Sequence, residues 1–333
     1  MPLTHLSLDT LARWIRGLPL EIDHTPGAVL VVDLDERLGP DDGHPPTLHP
    51  GLPGVVVGLT ATEAREDHPA AAMCDLVLGR DEPVLEAVQD AVAARPLAAA
   101  ALVGLLRGSP GRDLHEGLLV ESAVYSMLQA GPEAGAWRAD RVPREREPEP
   151  EGDRVRLDRH RGTLTVTLDR PQVRNAVDAA MRHELVTALS LALVDPAITA
   201  VSLRGRGDAF CAGGDLDEFG TFADPVSAHL LRLEVSPSRV LGMLGSRVTA
   251  HLHGACVGAG IELSAFARVV RAHPSTRISL PEVSLGLVPG AGGTVSLPRR
   301  IGRWRTARLA LAGEVIDAAT ALEWGLVDAI EPG

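Results

Sequence analysis

Apolar and polar residues alternate over Thr163–Asp169 (TLTVTLD), the period of two expected of a half-buried strand. Asp178–Leu193 instead repeats its apolar positions at helical spacing, and Ile198–Leu203 and Val248–His253 return to strand character. Ile278–Leu280 predicts another strand, and Thr306–Ala312 and Asp317–Glu323 predict helices. Such a succession of strand, loop and helix implies parallel strands joined by crossovers. Earlier in the chain, Ala28–Asp33, Gly54–Leu59 and Asp75–Leu78 read as short buried strands. Glu82–Ala94 carries Val84, Leu85, Val88 and Val92 at helical spacing, and Leu97–Arg107 is an apolar run open to either a strand or a helix. Leu114–Trp137 predicts one long helix with Leu118, Leu119, Ala123, Ser126 and Met127 on its apolar face and the chain's single tyrosine, Tyr125, within it. These earlier pieces suggest a small α/β layer.

The segment Val142–Asp153 (VPREREPEPEGD) has no apolar period and is nearly all charge, Pro and Gly. It predicts a linker or exposed loop. Residues 1–141 are therefore expected to form one α/β region, 142–153 the linker, and 154–333 a second unit. A chain of 333 residues agrees with two units.

Composition narrows the function classes. Aromatics are 3% of the chain against 34 glycines and 25 prolines, so the cores rest on Ala, Leu and Val, and base stacking on nucleic acid has no support. The formal charge of −12 gives no general attraction for nucleic acid or an anionic membrane. Cys74, Cys211 and Cys256 stand far apart and form no paired motif, which supports neither a disulfide framework nor a zinc site. No run is long and apolar enough to span a bilayer, and the first residues lack a signal-peptide pattern. A cytoplasmic protein without a metal is the expectation.

Two glycine loops carry the candidate chemistry. Ala212-Gly213-Gly214-Asp215 and Gly258-Ala259-Gly260 each follow a predicted strand and precede a predicted helix. Small residues admit a ligand close to the main chain, and helix openings leave N–H donors free. One such loop is no more than a tight turn. Two at successive strand ends supply two convergent donors, as an oxyanion requires. Neither fits a P-loop or a dinucleotide fingerprint.

LDRPQVRNAVD (Leu168–Asp178), GDAFCAGGDLDEF (Gly207–Phe219), HGACVGAGIEL (His253–Leu263), LPEVSLGLVPGAGGT (Leu280–Thr294) and GEVIDAATALEWGLVD (Gly313–Asp328) resemble, in order and spacing, the successive signatures of the enoyl-CoA hydratase/isomerase (crotonase) superfamily. The resemblance implies an α/β fold with a crotonase (ClpP-like) ββα-superhelix core in the C-terminal half, preceded by the small α/β region. By motif position it implies that the N–H groups of Gly214 and Ala259 hold a thioester carbonyl. It makes Glu262 and Glu282 the acid/base pair of a hydratase, and Val173, Arg174, Ala176, Ala212, Gly213, Asp215, Gly258 and Gly290 the surroundings of a coenzyme A thioester. No permanent cofactor is implied, and a homo-oligomer, trimer or hexamer, is. Two carboxylates suit hydration, one activating water for C3 and the other exchanging the C2 proton. An isomerase, a thioester hydrolase, an aryl-acetyl-CoA oxygenase and a non-catalytic acyl-CoA-binding subunit are the alternatives.

Each site residue also has a plainer reading. Either glutamate alone is a common first-turn acid, and Arg174 a solvated loop charge. Cys211 and Cys256 read as packing residues, His251 and His253 as structural, and Asp217 and Glu218 as a solvated face. The family continues for several helices beyond the position of Gly333. The segment HEGLLVESAVYSMLQAGPEAGAW resembles the helical region preceding the core in cofactor-free dihydroxyphenylacetyl-CoA dioxygenases. Residues 1–140 are accordingly expected to take over as lid and assembly surface. Asp75–Leu106 has the look of a decayed half of the core, without its glycine loops.

Overall fold

The computed structural model describes residues 3–17, 27–36, 45–52, 54–61, 67–142, 152–221 and 224–332. The expected linker lies almost wholly outside the described residues.

The N-terminal strands β1 (Thr4–Leu6), β2 (Val29–Asp33), β3 (Val55–Thr60) and β4 (Leu76–Gly79) form one parallel sheet in the order 1-2-3-4. Side chains on a strand alternate between faces, and this sheet buries both. Val29, Val31, Val55 and Val57 join a large core, whereas Leu30, Val32 and Val56 pack in a smaller one with Leu8 and Leu11 of α1 (Leu8–Ile15). Two buried faces explain why these strands read as continuous apolar runs. β1 and α1 carry no such run and escaped the sequence reading.

The large core continues through α2 (Val84–Ala94) and α3 (Pro96–Arg107) into the C-terminal half. The two halves thus share apolar packing. Leu97–Arg107, open between strand and helix, is helical, with Pro96 at the first-turn position where its missing N–H costs nothing. The long helix expected over Leu114–Trp137 is two, α4 (Leu114–Gln129) and α5 (Pro132–Asp140). Gly131-Pro132 breaks it, since Pro132 cannot donate to the preceding turn. Its inward face also differs from the expected one. Leu118 and Ser126 are buried as expected, but Leu119, Ala123 and Met127 are exposed, while Glu121, Ser122 and Tyr125 are buried.

The C-terminal half holds a six-stranded sheet in the order β13-β10-β8-β7-β6-β5. Its strands are β5 (Val155–His160), β6 (Thr163–Leu168), β7 (Ala200–Gly205), β8 (Val248–Leu252), β10 (Val269–Ala272) and β13 (Ala329–Ile330). β5 pairs antiparallel with β6 and the others pair parallel. A second layer joins β9 (Ala255–Val257), β11 (Arg277–Ser279) and β12 (Ile316–Asp317). Helices α6 (Ala179–Val194), α7 (Pro225–Glu234), α8 (Pro237–Leu244), α9 (Ala259–Ser264), α10 (Gly293–Ala312) and α11 (Ala318–Glu323) complete it. Leu, Val and Ala at alternating inward positions of β6 to β10 fill the space between sheet and helices.

A candidate active site built on glycine loops and three glutamates

The two loops meet. Cys211 and Cys256 pair as an isolated parallel bridge, and an idealised Cβ on Gly213 would lie 3.9 Å from Ala259 N. Gly213 has φ +96° and Gly258 φ +49°, values L side chains rarely adopt. A Cβ on Gly258 would also collide with Glu282 Oε1. These glycines therefore let the main chain turn and let a carboxylate approach it. The Gly214 and Ala259 N–H groups have no acceptor among the described residues, while their neighbours Asp215 and Gly258 donate to Val177 O and Ser279 O. Both Gly214 and Ala259 line one cavity of about 220 Å³.

Glu262, Glu282 and a third glutamate, Glu121 of α4, line the same cavity. The opening of α10 offers a row of N–H groups that no turn precedes to accept. Ala291 and Gly293 donate to Glu262 Oε2 at 2.7 and 2.9 Å. Gly292 donates to Glu121 Oε1 at 2.7 Å, and Thr294 gives its N–H (2.8 Å) and hydroxyl (2.7 Å) to Glu121 Oε2. Successive N–H groups thus alternate between two carboxylates. Glu282 is different: its Oε2 is buried with no hydrogen-bond partner among the described residues.

Burial raises the pKa of all three carboxyls, since a low-polarity surround disfavours the charged form. Glu282 is pushed up to about 7 by burial first and then by the nearby Glu121. Glu121 also reaches about 7 through burial, opposed by its hydrogen bonds from Thr294 and Gly292 and by Arg232. Glu262 lies well above the ordinary carboxylate range, from burial and then from Glu282 and Glu121. Carboxyls whose hold on a proton is strengthened in this way suit proton exchange with a bound carbon acid.

Of the residues expected around a thioester, Gly214, Ala259, Glu262, Glu282 and Gly290 meet at this cavity, while Val173, Arg174, Ala176, Ala212, Gly213, Asp215 and Gly258 fall outside its lining. Asp215 spends its carboxylate on the buried Arg170 at 3.2 Å. Arg174 is exposed at φ +52°, its carbonyl accepting from Ala212 N at 2.9 Å. Asp217 pairs with Arg141, and Glu218 both accepts from Ala179 N and borders the cavity. Cys211 and Cys256 are fully buried, and the His253 ring meets Gly207 O.

Sequence reasoning missed Glu121, Tyr125 and Arg232, which line the cavity from α4 and α7. Glu121-Ser122 and Tyr125-Ser126, four residues apart, form one polar stripe on a helix with apolar residues between them. That spacing was the available signal.

The chain resembles known proteins over its C-terminal half. The family description "Enoyl-CoA hydratase/isomerase" matches residues 158–333. The 2,3-dehydroadipyl-CoA hydratase of Escherichia coli is 35% identical over 176 residues, 53% of this chain and 68% of that protein. The peroxisomal bifunctional enzyme of Danio rerio is 37% identical over 172 residues, 51% of this chain but only 23% of that protein. Among solved structures, an enoyl-CoA hydratase of Thermoplasma volcanium superposes with a TM-score of 0.50 at 31% identity, over 55% of this chain and 73% of that one.

Proposed function

Since the chain belongs to the enoyl-CoA hydratase/isomerase family, we propose that it hydrates a 2-enoyl-CoA thioester, or dehydrates the corresponding 3-hydroxyacyl-CoA. One observation carries this reading: two N–H groups without acceptors among the described residues line a cavity that also holds Glu262 and Glu282, whose Oε2 has no partner among those residues.

The thioester carbonyl oxygen accepts from Gly214 and Ala259, where preorganised donors stabilise an enolate oxygen more than a ketone-like one. Water lies between Glu262 and Glu282. As one carboxylate takes its proton, the oxygen bonds to C3 and the C2–C3 π electrons move into the thioester as an enolate. The other carboxyl then gives its proton to C2, and the carbonyl re-forms. Water is added whole, with no change of oxidation state. Gly258 admits Glu282 to the loop that bears the oxyanion donor, which couples the two devices. Arg174 and the main chain around it serve the coenzyme A part, and α4 closes the cavity as its lid. The family resemblance further implies a homo-oligomer, which sedimentation of the whole chain checks.

The test follows the enoyl absorbance of crotonyl-CoA and longer 2-enoyl-CoAs with purified protein. Loss of absorbance is expected from the wild type, with Glu262→Gln and Glu282→Gln each slower by about 10²–10⁴. No hydration at high enzyme concentration, together with free CoA or oxygen uptake on an aryl-acetyl-CoA, sinks the reading.

A further inference from the structure

The wall of the cavity opposite in origin to the glycine loops comes from α4 and α7, and it carries a cation. Arg232 of α7 lines the cavity half-buried, with its guanidinium 4.4 Å from the centre of the Tyr125 ring. All of its hydrogen bonds run through Nη1, to Ser126 Oγ at 2.9 Å, Ser122 Oγ at 3.2 Å and Ser122 O at 3.4 Å. Nε and Nη2 donate to nothing among the described residues, and no described carboxylate lies within ion-pair distance. Glu121 is the acid whose field reaches it, but both Glu121 oxygens are committed to Gly292 and Thr294. Tyr125 packs against Gly290, and its hydroxyl has no partner among the described residues either.

Taking a guanidinium out of water without a counter-charge is costly. Two serines and a tyrosine ring hold this one in a fixed orientation, so its open edge is presented and not folded away. A planar fork of two free N–H directions matches a carboxylate. An unsubstituted hydrocarbon chain would leave both directions unsatisfied.

We propose that Arg232, oriented by Ser122, Ser126 and Tyr125, reads a carboxylate on the acyl group, so that the preferred substrates are CoA half-esters of dicarboxylic acids. This rests on the acyl-CoA reading above and adds to it the class of acyl group.

The test is calorimetric binding of saturated thioesters to the whole chain, which needs no turnover. Butyryl- and succinyl-CoA, valeryl- and glutaryl-CoA, and hexanoyl- and adipyl-CoA are compared in pairs. At one chain length or more, the carboxylated ester is expected to bind at least about tenfold tighter. Arg232→Met is expected to erase that difference while leaving the uncarboxylated ester within about threefold of wild type, and Arg232→Lys to restore part of it. Equal wild-type affinity within every pair overturns the proposal. So does equal tightening by 6-hydroxyhexanoyl-CoA, or an Arg232→Met variant that weakens free CoA as much as the esters. Should that variant fail to fold, the wild-type pairs decide alone. If no CoA ester binds, the acyl-CoA reading fails with it; binding without discrimination removes only the carboxylate.

Discussion

Asp75, under the N-terminal sheet, and Glu282, in the C-terminal cavity, are both buried carboxylates, 2% and 8% exposed. Asp75 is satisfied on every side. Arg107 grips it through Nε at 2.8 Å and Nη2 at 2.6 Å, Val56 N donates to it at 2.9 Å, and Arg107 in turn donates to Gly54 O at 2.8 Å. Arg303 and Trp304 of α10 fasten the neighbouring carbonyls of Ala72 and Cys74. Glu282 has an oxygen with no partner among the described residues, and the charge acting on it is the carboxylate of Glu121. A buried charge that is fully paired holds structure together, and one left short of partners keeps capacity for a ligand's proton. The N-terminal half spends its buried polarity on cohesion. At Glu282 the cavity keeps some of its own in reserve, at a cost in stability.

The contrast breaks most visibly at Glu282. Glu282→Gln is expected to slow hydration by about 10²–10⁴ yet to stabilise the fold at high pH. In the unfolded chain this carboxyl ionises near 4.5, and in the fold near 7. Between those values the native state binds the extra proton, so the group's contribution favours folding at low pH and is lost as pH rises through about 7. The variant should therefore melt above wild type at pH 8, by a few degrees or roughly 1–3 kcal/mol, and show no gain at pH 4. Scanning calorimetry at the two pH values reads this, and an equal shift at both would contradict it.

Asp75→Asn should do the reverse. Arg107 would be left charged and buried, which costs about 3–5 kcal/mol, while the kcat of the folded fraction stays close to wild type. Urea unfolding monitored alongside activity separates the two effects. A lost kcat in fully folded protein would tie the N-terminal sheet to the chemistry directly.

Glu121 falls between the two regimes, because it is both a tie and a cavity wall. Glu121→Ala strips the acceptor from Gly292 N, Thr294 N and Thr294 Oγ1. A stability loss of about 2–4 kcal/mol is expected, with kcat reduced as the loop that orients Glu262 loosens. Unchanged stability would mean that water takes over the three donors. The smallest effect belongs to the exposed Arg174, where Arg174→Ala should raise KM for an acyl-CoA about two- to fivefold and leave kcat alone.

Much of this was legible in one dimension. Thr163–Asp169 and the run at Val55 announced their strands because side-chain alternation or continuous apolarity leaves a local trace. The five motifs announced the family because loops that fold the main chain around a ligand demand Gly and Ala at set places. Gly131-Pro132 carried the signal of a helix break, which the expectation of one long helix over Leu114–Trp137 passed over. The inward face of α4 was not. Leu119 and Met127 look like core, and Glu121 looks like surface, until α7 and α10 arrive to bury one face. No single CoA-contact motif could separate Gly214, which faces the cavity, from Asp215, whose carboxylate turns to Arg170.

The sequence by itself determined the fold class and singled out the two glycine loops and the residues Glu262 and Glu282 as candidates, because each depends on residue type over a short stretch. Only the tertiary structure decided that Glu121 shares the opening of α10 with Glu262, that Glu282 keeps an oxygen without a partner among the described residues, and that Arg232 faces the cavity with its fork open. Those properties are sums over neighbours more than a hundred residues apart in the chain, and burial, which sets a carboxyl's affinity for its proton, exists only once those neighbours have met.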